Sequence, residues 1–395
     1  MDSRILKGIR ILDFTWMLAG PFATRILADF GAEVIKVQSK KIAKGMESNL
    51  TWYFNQWNRN KLGITLDMNF PEARDIAMRL VKVSDVVIEN FSPRVISNWG
   101  FEYERIKEIK PDIIMVSISA MGRNGSWRDL IGFGTTLQSL SGITYLTSFE
   151  KECPLGIGYP YVDSIIGLYA TFAILSALEN RKHTGKGQYI DLSGFEASMT
   201  LLGPTLLDIL LNQTEVFPQG NRSNDIEGAP YGCYKCMEED RWCVIAINDE
   251  DQWRALSRVM GDPPWTREER FSTLLKRKEN SRELDELLTK WTSTHKAEEI
   301  VNLLQREGIP SGVVQNAHDI ANDPHLRERG FFVSLKHPIL GDLITDRQPI
   351  VFERDAPKIR KPAPLLGEDN RYVFVELLGL EEDKFKEYIE KGIIG

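Results

Sequence analysis

The opening forty residues carry the pattern that most restricts the fold: a strand-length apolar run, a helical segment, and a second apolar run. Residues 10–14 read as a strand. After a loop through Leu18, the pair Gly20-Pro21 places proline where a helix can begin without losing a hydrogen bond. Residues 22–30 continue helically, Gly31 supplies the stop, and residues 33–37 form the next strand. Two strands joined through a helix run parallel, because parallel neighbours need a long crossover. The alternation continues with helix 71–83, strand 85–88, helix 101–109 and strand 112–117, and then with the long apolar helix 163–180 and strand 188–192. The N-terminal half is therefore expected to be α/β, built on a parallel sheet.

A chain of 395 residues exceeds the usual size of a single core, so two domains are expected. The polar, Asn- and Gly-rich stretch 213–230 divides a large N-terminal part, 1–212, from a smaller α+β domain, 231–330, with helices at 251–259, 282–292 and 297–308. Residues 331–395 form a late return segment with an extended stretch and a terminal amphipathic helix. The charged N-terminal residues offer no apolar core for an export signal. The longest apolar run, 164–178, falls short of the roughly 20 residues that cross a bilayer, so it reads as a buried helix and no membrane partner is expected. Four cysteines make no disulfide framework, which points to a reducing cytoplasm. A net charge of -7 argues against general nucleic-acid affinity.

Several chemistries lack their residues. The first strand-to-helix turn, residues 15–21, has no G-x-G-x-x-G, and Gly132-Phe133-Gly134 lacks the third glycine, so a dinucleotide oxidoreductase is disfavoured. No P-loop or nucleophile elbow occurs. The five histidines have no metal-ligand spacing, and Cys233 and Cys236 form a single C-x-x-C without a second pair, so no metal is assigned. What remains is an acid at the head of an apolar helix: Asp163, preceded by Gly156, Gly158 and Pro160 and followed by Gly167. The helix dipole there favours an ionised carboxylate, as a nucleophile requires. The same placement equally describes an ordinary N-cap satisfying the first amides.

The run Asp163-Ser-Ile-Ile-Gly167-Leu-Tyr-Ala170, continuing through Arg181 to Thr184-Gly-Lys-Gly-Gln188, resembles the signature of class III CoA-transferases. Further marks follow in order along nearly the whole chain: Leu12-Asp-Phe14 with Ala19-Gly-Pro21, Gly31-Ala-Glu-Val-Ile-Lys36, Asn60-Lys61, Leu66-Asp-Met68, Val87-Ile-Glu-Asn-Phe91, Gly308-Ile-Pro310, His337-Pro338, Pro364-Leu-Leu-Gly-Glu368 and Leu378-Gly-Leu380. The resemblance implies a large Rossmann-like α/β domain made from both chain ends, a smaller α+β domain, and two chains interlocked like rings. It implies no tightly bound cofactor; acyl-CoA and a free carboxylic acid are the substrates.

In that family the aspartate matching Asp163 attacks the donor thioester, giving a mixed anhydride and free CoA thiolate. The thiolate returns to form an aspartyl-CoA thioester, which the acceptor carboxylate then opens. The same likeness implies CoA contacts at Leu18, at Gln38 and Ser39, at Leu66, Asp67, Met68 and Asn69, at Asn90, Phe91, Ser92 and Asn98, and at Ile131, Gly132, Phe133 and Gly134. Lys36, Lys40, Lys41 and Lys44 could screen the nucleotide phosphates or could form a solvated surface.

Departures from the family matter as well. Formyl-CoA transferases carry glutamine in place of Leu18, arginine in place of Asn98, and a run of glycines where this chain has residues 220–230. An oxalate and formate pair is therefore disfavoured, and closure of the site by residues 220–230 is a hypothesis. Apolar residues Trp16, Met17, Leu18, Trp99 and Phe133 point to a bulkier acid, with succinyl-CoA as donor and substituted succinates among the acceptors. Two alternatives remain. Related α-methylacyl-CoA racemases share the fold but need a histidine-aspartate pair where Phe133-Gly134 stands, and phenylalanine cannot accept a proton. The chain could also be a non-catalytic half of a heterodimer with a related subunit, although the retained Asp163 argues that it is the active half; homodimer and heterodimer both stay open.

Overall fold

The computed structural model describes residues 5–149, 153–221 and 228–395. In chain order come strand β1 (Arg10–Asp13), helix α1 (Ala19–Asp29), β2 (Glu33–Gln38), α2 (Trp52–Asn58), β3 (Leu62–Thr65), α3 (Pro71–Lys82) and β4 (Val86–Glu89). Helices α4 (Pro93–Trp99) and α5 (Tyr103–Ile109) lead to β5 (Ile114–Ser119). The crossover to β6 (Gln188–Ser193) carries α6 (Gly134–Leu140), α7 (Ile143–Leu146) and α8 (Tyr161–Thr184). After α9 (Gly194–Met199) and α10 (Gly203–Asn212) come β7 (Tyr231–Lys235), β8 (Trp242–Ala246), α11 (Glu250–Val259), α12 (Leu274–Glu279), α13 (Ser281–Thr292), α14 (Ala297–Arg306) and β9 (Ser311–Val313). Helices α15 (Ala317–Asn322) and α16 (Pro324–Glu328), the hairpin of β10 (Phe332–His337) and β11 (Gly341–Asp346), and α17 (Glu382–Glu390) complete the chain.

Two compact units result. The larger takes Met1–Thr144, Gly156–Val216 and His325–Gly395; the smaller takes Tyr145–Leu155 and Phe217–Pro324. The larger unit is built on six parallel strands in the order β3-β2-β1-β4-β5-β6. This is the doubly wound Rossmann arrangement, and its strand order reverses between β1 and β4. All of β4 and nearly all of β1 and β2 are buried on both faces, which is why these strands read as apolar runs without alternation. Leu27 of α1 with Ile166 and Ile174 of α8 fill one face; Ile76 and Leu80 of α3, Ile106 of α5 and Phe374 fill the other.

The return segment closes the sheet at its β3 edge. Asp369 Oδ2 accepts from the Gly63 amide at 2.7 Å and Asn370 Oδ1 from the Thr65 amide at 2.8 Å, so the outward donors of this edge strand are met by side chains from the far end of the chain. Gly63 must be glycine here, since a Cβ would lie 2.7 Å from Pro364. A buried cluster does the same for the hairpin: Arg59, fully enclosed, pairs with Asp29 at 2.7 Å and with Asp346 at 3.1 Å, and Arg25 also reaches Asp346. Opposite charges at zero exposure are held only because each is paired and hydrogen-bonded.

Helix α8 differs from the expected buried helix. It runs to 24 residues, long and apolar enough to cross a membrane, and less than half of its apolar window is buried. One side packs on α1 and the sheet; the other leaves Leu168, Tyr169, Phe172 and Leu175 exposed. Its apolar run looked short in the sequence because polar residues inside the helix interrupt it without ending it.

The smaller unit has an antiparallel sheet ordered β7-β8-β9, over which Trp253, Leu284, Leu288, Ile300 and Leu304 form a core. Cys236 and Cys243 are buried in that core, and burial pushes the Cys243 thiol up.

Candidate active site

Parallel doubly wound sheets open a crevice beyond the carboxyl ends of the strands where the order reverses. In this chain that point lies between β1 and β4, and one side chain bridges it. Asn90, just after β4, accepts from the Trp16 amide at 2.9 Å and donates to the Trp16 carbonyl at 2.9 Å, which fixes the turn that follows β1. The turn itself is strained: Met17 has a left-handed backbone, φ +62°, and its amide donates to the buried Glu47 carboxylate at 2.7 Å.

Beneath the turn sits Asp13, fully enclosed, which accepts from the Thr15 amide at 2.8 Å, Thr24 Oγ1 at 2.7 Å and Lys61 Nζ at 3.1 Å. Burial alone would push its carboxyl up, but the Lys61 and Lys36 ammonium groups and the hydrogen bonds from Thr15 and Thr24 hold it at about 2. Lys36 is also fully buried, and its ammonium donates to the Thr15 carbonyl. The expectation that Lys36 screens nucleotide phosphates is thereby corrected: it sits in a strand buried on both faces and props the turn from inside. Lys41 reaches the surface but pairs with Asp67 at 2.9 Å, while Lys40 and Lys44 remain exposed.

A cavity of about 810 Å³ opens at this switch point. Of the expected residues it gathers Leu18, Asn90, Gly132, Phe133, Gly134 and Asp163. A narrower cavity of about 120 Å³ gathers Gln38, Ser39, Leu66, Asp67, Met68, Asn69 and Phe91. Trp16 lines both. Asn98 lies in a third cavity. Ser92, at the head of α4, and Ile131, which is 83% exposed, line none of the three. Residues 222–227, part of the hypothetical closing loop 220–230, lie outside the described residues.

Sequence reasoning missed two walls of the main cavity. One is α2, which supplies Trp52, Tyr53, Gln56 and Trp57; the other is the β10–β11 hairpin, which supplies Leu335, Leu343, Ile344 and Thr345. Signals for both were present. Thr51 caps α2 by accepting from the Phe54 amide at 3.2 Å, and the turn between the hairpin strands holds Pro338 and ends at Gly341 with φ +77°.

Asp163 is the third residue of α8, and Pro160 holds the N-cap position, with no side-chain cap present. The N-cap reading therefore fails because the helix starts two residues earlier than its apolar run. The carboxylate lies against Gly134, where a Cβ would come within 2.4 Å of Asp163 Oδ2. Burial pushes its pKa up to about 6. This reverses the expected direction, since loss of water outweighs the dipole at a third-residue position. Burial and the charges of Asp163 and Glu47 push the Tyr53 hydroxyl up, so a protonated phenol faces the carboxylate's surroundings. Among the described residues lining the cavity, Asp163 alone carries a charged side chain.

A doubly wound sheet with an apolar switch-point cavity and one dehydrated carboxylate at a helix start defines an enzyme suited to covalent carboxylate chemistry on an acyl group. The sequence profile of CoA-transferase family III matches residues 6–370, and the chain belongs to that family of CoA-transferases. It is 31% identical over 398 residues to succinyl-CoA–D-citramalate CoA-transferase of Chloroflexus aurantiacus, covering 99% of this chain and 98% of that one. It is 29% identical to formyl-CoA:oxalate CoA-transferase of Rhodopseudomonas palustris, covering 99% of this chain and 97% of that relative. Among solved structures, a CAIB/BAIF family protein from Brucella suis superimposes with a TM-score of 0.86 at 31% identity, covering 94% of this chain and 99% of the other.

Proposed function

We propose that Asp163 is the nucleophile of this CoA-transferase, and that the carrying observation is its solitude: one dehydrated carboxylate in a large apolar cavity with no paired cation. Its oxygen adds to the donor thioester carbon and expels CoA thiolate, leaving a mixed anhydride. The thiolate attacks the Asp163 carbonyl, releasing the donor acid and forming an aspartyl-CoA thioester. The acceptor carboxylate attacks that thioester, freeing the thiolate again and forming a second anhydride. Attack of the thiolate on the acceptor carbonyl yields the new acyl-CoA and restores Asp163. The sequence balances without metal or cofactor. The apolar walls keep water from both anhydrides.

Succinyl-CoA is the proposed donor, supported by the activity for which the Chloroflexus relative is named. A substituted succinate with an aryl or alkyl body is the proposed acceptor, supported by the apolar walls from Trp52, Trp57, Leu343 and Ile344. Racemisation is disfavoured by the same solitude, because α-proton exchange needs a second base in the cavity.

We assign two copies, or this chain with a related subunit, to the working enzyme. Phe172 of α8 (69% exposed) and the consecutive Leu210 and Leu211 of α10 (74% and 75%) leave large apolar side chains uncovered, which supports a partner chain against these helices. Its four free cysteines suit a reducing cytoplasm.

The test is mass detection of a covalent adduct. Incubation with succinyl-CoA and trapping with hydroxylamine should convert Asp163 to its hydroxamate, and a hydroxamate at another residue would overturn the assignment.

A further inference from the structure

Three cavities of the larger unit are linked by shared aromatic walls: Trp16 lines the first and second, and Trp99 lines the second and third. Trp99 packs edge-on against Phe91, with ring centroids 5.1 Å apart, so the wall between the second and third cavities is braced by the residue following Asn90. The first cavity is apolar and ends at Asp163. The third, about 290 Å³, is polar and is lined by Arg74 of α3, Arg105 of α5 and Asn98 of α4. Among the described residues neither guanidinium forms an ion pair, although Asp75 lines the same cavity. Arg74 Nε donates to the Met68 carbonyl at 2.9 Å, which anchors its stem to a wall of the second cavity, and among the described residues its terminal nitrogens have no protein acceptor. Arg105 lies over Gly100, where a Cβ would fall 2.4 Å from its Nη1. The two cations thus converge on one cavity from adjoining helices.

We propose that Arg74 and Arg105 bind the phosphates of CoA, and that the coenzyme lies along the three cavities with its thioester at Asp163 and its nucleotide end at the arginine pair. This deepens the CoA-transferase reading and rests on it. A coenzyme carrying several phosphate charges must find local cations on a protein of net charge -7. Of the lysines near the second strand, Lys36 is enclosed, Lys41 is paired, and Lys40 and Lys44 are exposed but line none of the three cavities. Unpaired guanidiniums present forked donors matched to phosphate oxygens.

Calorimetric titration of the purified protein with CoA, dephospho-CoA and 4′-phosphopantetheine tests this without knowledge of the acyl group. Arg74→Gln and Arg105→Gln should each weaken CoA binding by about tenfold, and the charge-retaining Arg105→Lys by clearly less. If the pair holds the 3′-phosphate, wild type should prefer CoA to dephospho-CoA and the double variant should lose that preference. If it holds the diphosphate, the double variant should lose affinity for CoA and dephospho-CoA equally. In both cases binding of 4′-phosphopantetheine should be weak and insensitive to the substitutions. Unchanged CoA affinity in a folded double variant would overturn the proposal while leaving the CoA-transferase reading intact. Absence of CoA binding to wild type would overturn both.

Discussion

Replacing Asp163 with asparagine should make the protein more stable and inactive at once, and the size of the first effect follows from the site. Burial raises the carboxyl from its ordinary 3.8 to about 6. A shift of about 2 units corresponds to roughly 3 kcal/mol between the two protonation states. The residue is partly open to the cavity, so solvent screening reduces the recoverable part to about 1–2 kcal/mol. Because the folded value lies above the unfolded one, the native state binds the extra proton between them. The destabilisation is absent below about pH 4, grows as pH rises, and is complete above about pH 6. Urea unfolding of wild type and Asp163→Asn at pH 4, 6 and 8 should show coincident midpoints at the lowest pH and a variant more stable by about 1–2 kcal/mol at the highest. Wild-type kcat/KM for succinyl-CoA should fall about tenfold per pH unit below 6, since only the ionised carboxylate attacks. A variant no more stable than wild type at pH 8 would refute the claim that the carboxylate is held dehydrated.

Other perturbations read different parts of the site. Gly134→Ala places a methyl group 2.4 Å from Asp163 Oδ2 without left-handed backbone strain, so turnover should drop about a hundredfold with circular dichroism unchanged. Asn90→Ala removes both bonds to the Trp16 backbone, which should lower the unfolding free energy by about 1–3 kcal/mol and raise KM for the acyl-CoA. Leu210→Glu combined with Leu211→Glu places charges on the exposed apolar face of α10, and light scattering should then report single chains where wild type gives pairs. Asp369→Ala leaves the Gly63 amide at the sheet edge without its acceptor, and should cost about 1–2 kcal/mol in a denaturant titration without changing kcat.

What the sequence revealed follows from how locally each element is specified. Strands β1, β2, β4 and β5 announce themselves as short apolar runs because both of their faces are covered, whereas the edge strand β6 shows an alternating pattern. Strand β3 does not: four residues interrupted by Gly63 make no apolar run, and the glycine is there for Pro364, three hundred positions later. Helix α2 was hidden for a similar reason, since seven residues carrying Asn55, Gln56 and Asn58 look like a loop until Asn55 Nδ2 is seen donating to the Asn49 carbonyl at 2.9 Å. Charge misled in the opposite sense at Lys36, where the neighbouring residues predicted surface and the sheet supplied burial with Thr15 and Asp13 as partners.

The residues that make the cavity specific are those whose positions depend on contacts between distant parts of the chain. The family pattern led to Asp163, but nothing near it in sequence indicates what faces it. That wall is set by the buried cluster in which Asp346, one residue after Thr345, receives Arg25, Arg59 and Gln56. Gln56 and Thr345 line the cavity, and Asp346 ties their elements together. The hairpin's place as a wall of the Asp163 cavity therefore depends on ion pairs joining residues 321 and 287 positions apart, a constraint that no local pattern around Asp163 can carry.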